Sequence, residues 1–211
     1  MAFLNRDRIK LAAGAGAAAV LTIAAVFGAT ASAAPVGDAA PAFKEMSSQG
    51  KEVQLSDFPG KTVVLEWTND GCPFVQKHYN SKNMQKTQET LTREGVVWLS
   101  VISSKKGSQG YSDAARANKL TADRGAHPNF VLLDPDGSMG RAYGAKTTPH
   151  MFIITPEGKV AYNGAIDSIK SNKVEDVPKA TNYVLTAIAA LKAGKSPDPA
   201  LTVPYGCDVK Y

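Results

Sequence analysis

The chain has 211 residues, with 24 lysines and arginines against 19 aspartates and glutamates, for a formal net charge of +5. That mild excess gathers into no long basic cluster, so nothing in the composition points to nucleic acid as a partner. Its thiol chemistry is confined to two cysteines, Cys72 and Cys207.

The first 33 residues read as a secretory leader. Arg6, Arg8 and Lys10 precede an uncharged run, LAAGAGAAAVLTIAAVFGAT, and the small residues of ASA, Ala31 to Ala33, follow. That is the three-part order of a signal peptide. The same run is about long enough to span a bilayer, so an uncleaved anchor is the alternative, and membrane contact is expected only in that case. Cleavage removes three basic residues and one acidic one, leaving a net charge of +3 on about 178 residues. Such a length suits one domain with a single core. The expected organisation is a signal peptide at 1–33, a domain at 34–195 and a tail at 196–211 bearing the second cysteine. An exported chain, periplasmic or extracellular, meets conditions in which cysteines can pair.

Ala34 to Met46 is Ala/Pro-rich and reads as an extended lead-in. KEVQLSDF alternates apolar and polar residues as a short strand, closed by the turn FPGK. Thr62 to Trp67, TVVLEW, has the β-branched apolar character of a buried strand. From Cys72 to Arg93 no breaker follows Pro73, so one helix is predicted, with Pro73 in its first turn and Gly95 as its stop. VVWLSVIS, 96–103, is a second buried strand. After the polar loop SKKGSQGYS, Ser112 offers a cap for a helix over SDAARANKLTADRG. NFVLLD is a third strand, ended by DPDG, and a short helix around SMGRAYG leads to TTPHMFIIT, a fourth. PEGK turns that strand into VAYNGAI, a fifth, as an antiparallel hairpin. KVEDVPKATNYVLTAIAALKAG supplies the last helix, and SPDPALTVPYGCDVKY is an irregular tail. Early strands separated by helices favour parallel pairing with right-handed crossovers, and the hairpin makes the sheet mixed.

Three stretches set in that order, EWTNDGCPF, TTPHMFIITPEGKV and TVPYGC, resemble the thioredoxin fold over roughly residues 38–190. Within it they are most similar to the redoxin group: the peroxiredoxin (alkyl hydroperoxide reductase/thiol-specific antioxidant) and exported thioredoxin-like families. The nearer likeness is to a peroxiredoxin-like subgroup with a GCPF-type site and a C-terminal GC-x-V/I-K motif. The resemblance implies an α/β thioredoxin-like fold, with a mixed sheet flanked by helices in a single domain. It implies an oxidoreductase of cell redox homeostasis, without cofactor or metal. Its partners would be protein thiols or disulfides, a thioredoxin-type reductant, or peroxide. Cys72 falls where the first cysteine of a thioredoxin pair sits, Val75 where the second would be, and Pro149 on the cis-proline whose loop faces the active thiol. Two departures bear on peroxidase chemistry. A peroxiredoxin's reactive cysteine lies three residues after a threonine, whereas Thr68 is four before Cys72, and no arginine stands around Thr148–Met151.

The expected chemistry is thiol–disulfide exchange, with Cys72 as attacking thiol and Cys207 as a possible resolving one. A thiol at a helix N-terminus faces unpaired N–H groups and the positive end of the dipole, which favour thiolate. Thr68, Asp70, Pro73, Thr148, Pro149 and His150 are expected to shape the site. Asp70 would raise the thiol's pKa if close, or cap the helix, the preferred reading. Lys77 and His78 read as solvated helix-face residues, and His127 as a loop residue. His150 points at the thiol or away according to strand alternation. Trp67 is expected to pack, and Glu66 to lie at the exposed end of its strand, with proton transfer as the alternative. Cys207, in a tail with Pro197, Pro199, Pro204 and Gly206, is either on a mobile arm or in a permanent clasp. Closing so long a loop would add roughly 5 kcal/mol by chain entropy. A thiol peroxidase, and a copper carrier converging Cys72, Cys207 and His150, are the alternative functions.

Overall fold

The computed structural model describes residues 1–2 and 34–211, so residues 3–33 of the leader lie outside the described residues. Among those described, no helix is long and apolar enough to cross a membrane. The elements run β1 (Lys44–Ser47), β2 (Glu52–Gln54), β3 (Val63–Trp67), α1 (Pro73–Asn80), α2 (Asn83–Arg93), β4 (Val97–Ile102), α3 (Ala114–Arg124) and β5 (Phe130–Leu133). After them come α4 (Ser138–Tyr143), β6 (Thr147–Thr148), β7 (His150–Ile154), β8 (Val160–Gly164), α5 (Tyr183–Lys192) and β9 (Cys207–Asp208).

Seven strands form one sheet in the order β2-β1-β5-β4-β3-β7-β8, and β6 pairs with β9 apart from it. β3 lies centrally, parallel to β4 and antiparallel to β7. Its VVLEW sequence is buried throughout because both faces of the sheet are covered. Alternation divides the strand between two cores. Val63, Leu65 and Trp67 meet Tyr143, Phe152 and Ile154 on one face, while Val64 joins Met151, Ile153, Val75, Val184 and Cys72 on the other. The PEGK hairpin forms as expected, β7 against β8.

Four differences from the sequence reading bear on the site. The helix expected over Cys72–Arg93 is two helices, broken at Lys82, the one described non-glycine residue with positive φ (62°). Asn80, Ser81, Lys82 and Asn83 include three weak helix formers, and Asn83 is held instead by the His78 ring, Nδ2 to Nδ1 at 2.9 Å. The fourth strand divides at Pro149, which has no N–H for a ladder; the Thr148–Pro149 peptide is cis. β6 consequently leaves the main sheet and faces the tail. The cap of α3 is Asp113, which accepts from Arg116 N, rather than Ser112, whose hydroxyl accepts from the Arg116 guanidinium. The last helix begins at Tyr183, after Asn182 caps it and a 3₁₀ turn has absorbed Pro178.

From Ala200 onward the tail is tied to the domain through its backbone and is not a free arm, although the Leu201 and Val203 side chains are exposed. It runs beside β8 (Asn163 N to Ala200 O, 3.1 Å; Thr202 N to Asn163 O, 3.1 Å) before β9 pairs with β6, Thr148 opposite Cys207. Val209 N then donates to Lys146 O at 3.1 Å, and Lys105 N to Lys210 O at 2.9 Å. Tyr211 closes the chain against Gly137 and Gly140, its hydroxyl donating to Ala145 O at 2.7 Å and the Arg141 guanidinium 4.8 Å from its ring centroid.

Candidate functional site

Cys72 is the N-cap of α1. The turn that delivers it is built by Asn69, whose carbonyl accepts from Cys72 N at 3.1 Å and whose Oδ1 accepts from Gly71 N at 2.9 Å. Pro73 then takes the first helical position, where a missing N–H costs nothing. The sulfur is fully buried, yet it lies among polar groups. Its thiol donates to Thr148 O at 3.0 Å, Cys207 stands opposite Thr148 in the β6–β9 pair, and both Val75 and Cys207 pack in the core to which Cys72 belongs. Burial pushes the Cys72 thiol up, but the Cys207 thiol, the Val75 N–H and the Thr148 side chain outweigh it, so its pKa is lowered. Cys207 moves the other way. Burial first and then its neighbour Cys72 push it up to about 12. The structure holds both thiols free.

The split is measurable. In the difference between wild type and Cys72→Ser, the ultraviolet absorbance of thiolate should show a first midpoint below the ordinary thiol value of about 8.5. The second ionisation should lie near 12. A single transition of both thiols near the ordinary value would contradict the assignment.

Among the remaining expected residues, Thr148 and Pro149 lie at Cys72, and Thr68 is buried with its hydroxyl unpartnered. Asp70 does not cap α1; its carboxylate takes both Arg116 guanidinium nitrogens, at 3.2 and 2.6 Å. His150 does not face the thiol. It shares a side of β7 with Phe152, their ring centroids 4.5 Å apart, whereas Met151 and Ile153 share the core of Cys72. Its ring bonds Asn163 Oδ1 at 2.8 Å and accepts from Lys146 N at 3.2 Å. Burial lowers its pKa to about 4. The convergence of Cys72, Cys207 and His150 that a copper carrier requires is therefore not formed, and no described group of three or more His, Cys, Asp or Glu residues is placed to hold a metal.

Three residues read as exposed are buried. Glu66 accepts from Tyr79 (2.8 Å), Trp98 (2.9 Å), Ser100 (2.9 Å) and Gln88 (3.0 Å), four donors against which burial still raises its pKa. Lys77 Nζ reaches Asp167 Oδ2 at 3.0 Å, Ile169 O at 3.0 Å and the Tyr205 hydroxyl at 3.4 Å. His78 lies against the same group, 3.8 Å from Asp167, with burial holding its pKa down at about 4. Tyr205 completes it, donating to Asp167 and packing edge-on against Phe74 at 5.8 Å. Sequence reasoning passed over Tyr205 and Asp167. The one available signal was an aromatic residue two positions before Cys207 in PYGC.

Residues 35–183 match the family model described as Redoxin. The chain belongs to the redoxin family. This redoxin is 31% identical over 124 residues to the thiol-disulfide oxidoreductase ResA of Bacillus subtilis, a match covering 59% of this chain and 64% of that protein. Among solved structures, a conserved protein from Geobacillus kaustophilus superposes with a TM-score of 0.72 at 24% identity, over 84% of this chain and 93% of that one. The thioredoxin domain of a thiol-disulfide oxidoreductase from Bacteroides vulgatus gives a TM-score of 0.50 at 21% identity, over 69% and 96%. The redoxin has the thioredoxin-like fold expected of it, a mixed sheet flanked by helices.

Proposed function

We propose that this redoxin is an exported thiol–disulfide oxidoreductase whose redox couple is Cys72 and Cys207. One observation carries the reading: two free cysteines meet at Thr148, Cys72 at a helix N-terminus donating to its carbonyl and Cys207 opposite it in the β6–β9 pair, the first with its pKa lowered and the second with its pKa raised. A dithiol so arranged closes to a disulfide as it reduces a partner disulfide to two thiols, and opens as it oxidises two partner thiols. Its substrates are protein thiols and disulfides, a reading supported by its similarity to ResA, a thiol-disulfide oxidoreductase. Export rests on the leader pattern of residues 1–33.

The test is a thiol count before and after mild oxidation, followed by peptide mapping and an assay of reduction of a small disulfide by protein plus dithiol. The expected outcome is two free thiols falling to none, a linked pair of peptides containing Cys72 and Cys207, and turnover above background. Two thiols surviving oxidation would overturn the couple.

A further inference from the structure

The two sulfurs differ in access as well as acidity. Cys72 is fully buried, and the segment Tyr205–Cys207 packs about it, Tyr205 on Phe74, Gly206 on the Thr148 carbonyl that accepts from Cys72, and Cys207 against the core of Cys72, while Cys207 itself is partly exposed. Tyr205 anchors one side of Cys207 through Asp167 and the Lys77 ammonium, and Tyr211 anchors the other over Gly137 and Gly140. Between them β9 pairs with β6, and Gly206 passes so close to Thr148 that a Cβ would collide with its carbonyl oxygen.

From this geometry, and resting on the Cys72–Cys207 couple proposed above, we infer that a partner thiol attacks the disulfide at Cys207 and not at Cys72. The partner thiolate bonds to Cys207 Sγ, the Cys72–Cys207 bond breaks, and its electron pair leaves on Cys72 Sγ. The product is a mixed disulfide between partner and tail, with Cys72 as a thiolate beneath it. A second partner thiolate attacks the partner's sulfur in that mixed disulfide, and Cys207 departs and is protonated from solvent. Two partner thiols have then become one disulfide and the protein has taken up two electrons. Leaving-group chemistry agrees with the steric argument, since exchange is faster when the sulfur expelled is the more acidic one. Here the accessible sulfur is the one whose attack expels that better leaving group.

The test uses the oxidised full chain with glutathione, an acid quench, alkylation of whatever is free, and peptide mapping. The expected product carries glutathione on the Cys207 peptide and the alkyl label on Cys72; glutathione on Cys72 would overturn the inference while leaving the couple intact. A chain that never forms the disulfide would overturn both. A second measurement follows iodoacetamide labelling of Cys72 in Cys207→Ser. Labelling in the native protein should be on the order of 10²-fold slower than in urea, the protection expected when reaction waits for local opening. Adding Gly206→Ala should restore most of that rate. Labelling of native Cys207→Ser as fast as in urea would show Cys72 to be open, and would overturn the inference.

Discussion

Replacing Cys72 by serine is expected to bring disulfide exchange down to the uncatalysed background, a loss on the order of 10³-fold or more. A hydroxyl forms no S–S bond, so the couple disappears and Cys207 is left as a lone thiol. Cys207→Ser should fall about as far, since it removes both the accessible sulfur and the partner that closes the disulfide. The non-additivity of the pair is the informative quantity: when two residues act as one unit, the double variant loses no more than either single one. Initial rates of reduction of a small disulfide by the two single variants and the double variant would check it. A Cys207→Ser protein with near wild-type turnover would show that Cys72 works alone.

The second large effect is on stability. Asp167→Ala should destabilise the fold by about 3–5 kcal/mol, the cost of stripping the partner from a buried charge. The side chains of Lys77 and Asp167 are 0% and 2% exposed, and all three ammonium protons have acceptors: Asp167, Ile169 O and the Tyr205 hydroxyl. Without the carboxylate, the ammonium remains buried among uncharged oxygens and the Tyr205 hydroxyl loses its acceptor as well. Denaturant unfolding measures the first consequence. Faster labelling of Cys72, now under a loosened tail, measures the second. Replacing both partners, Lys77→Met with Asp167→Leu, should recover much of the stability, because two matched apolar side chains leave no orphaned charge. A loss below about 1 kcal/mol for Asp167→Ala would mean that water reaches the ammonium.

The strands and the hairpin were readable because they are local: VVLEW, VVWLSVI and FVLL are apolar runs bounded by turns, and PEGK sits between HMFII and VAYNG. Cys72 was readable for the same reason, as a cysteine between a buried strand and a proline-initiated helix. The misread residues were all decided by distant ones. Lys77 and His78 look like a solvated turn of α1 until Asp167 and Tyr205, 90 and 128 positions from Lys77, come to cover them. Glu66 looks costly in a strand core until Tyr79, Gln88, Trp98 and Ser100 supply four donors. The prolines of the tail suggested mobility, and beyond the aromatic character of Tyr205 and Tyr211 nothing in the tail's own sequence announces that they have sockets. The break at Lys82 was missed because no glycine or proline marks it; an αL residue between two helices leaves little trace when lysine adopts it.

Glu66 also determines which parts of the molecule stay still. From β3 its two oxygens reach Tyr79 on α1, Gln88 on α2, and Trp98 and Ser100 on β4. One carboxylate therefore ties β3 to α1, α2 and β4, and α1, which begins just after Cys72, is pinned to the sheet through Tyr79. For the proposed Cys72–Cys207 couple, the movement that exchange demands is therefore expected in the strap of chain above the sulfur and not in the bed beneath it.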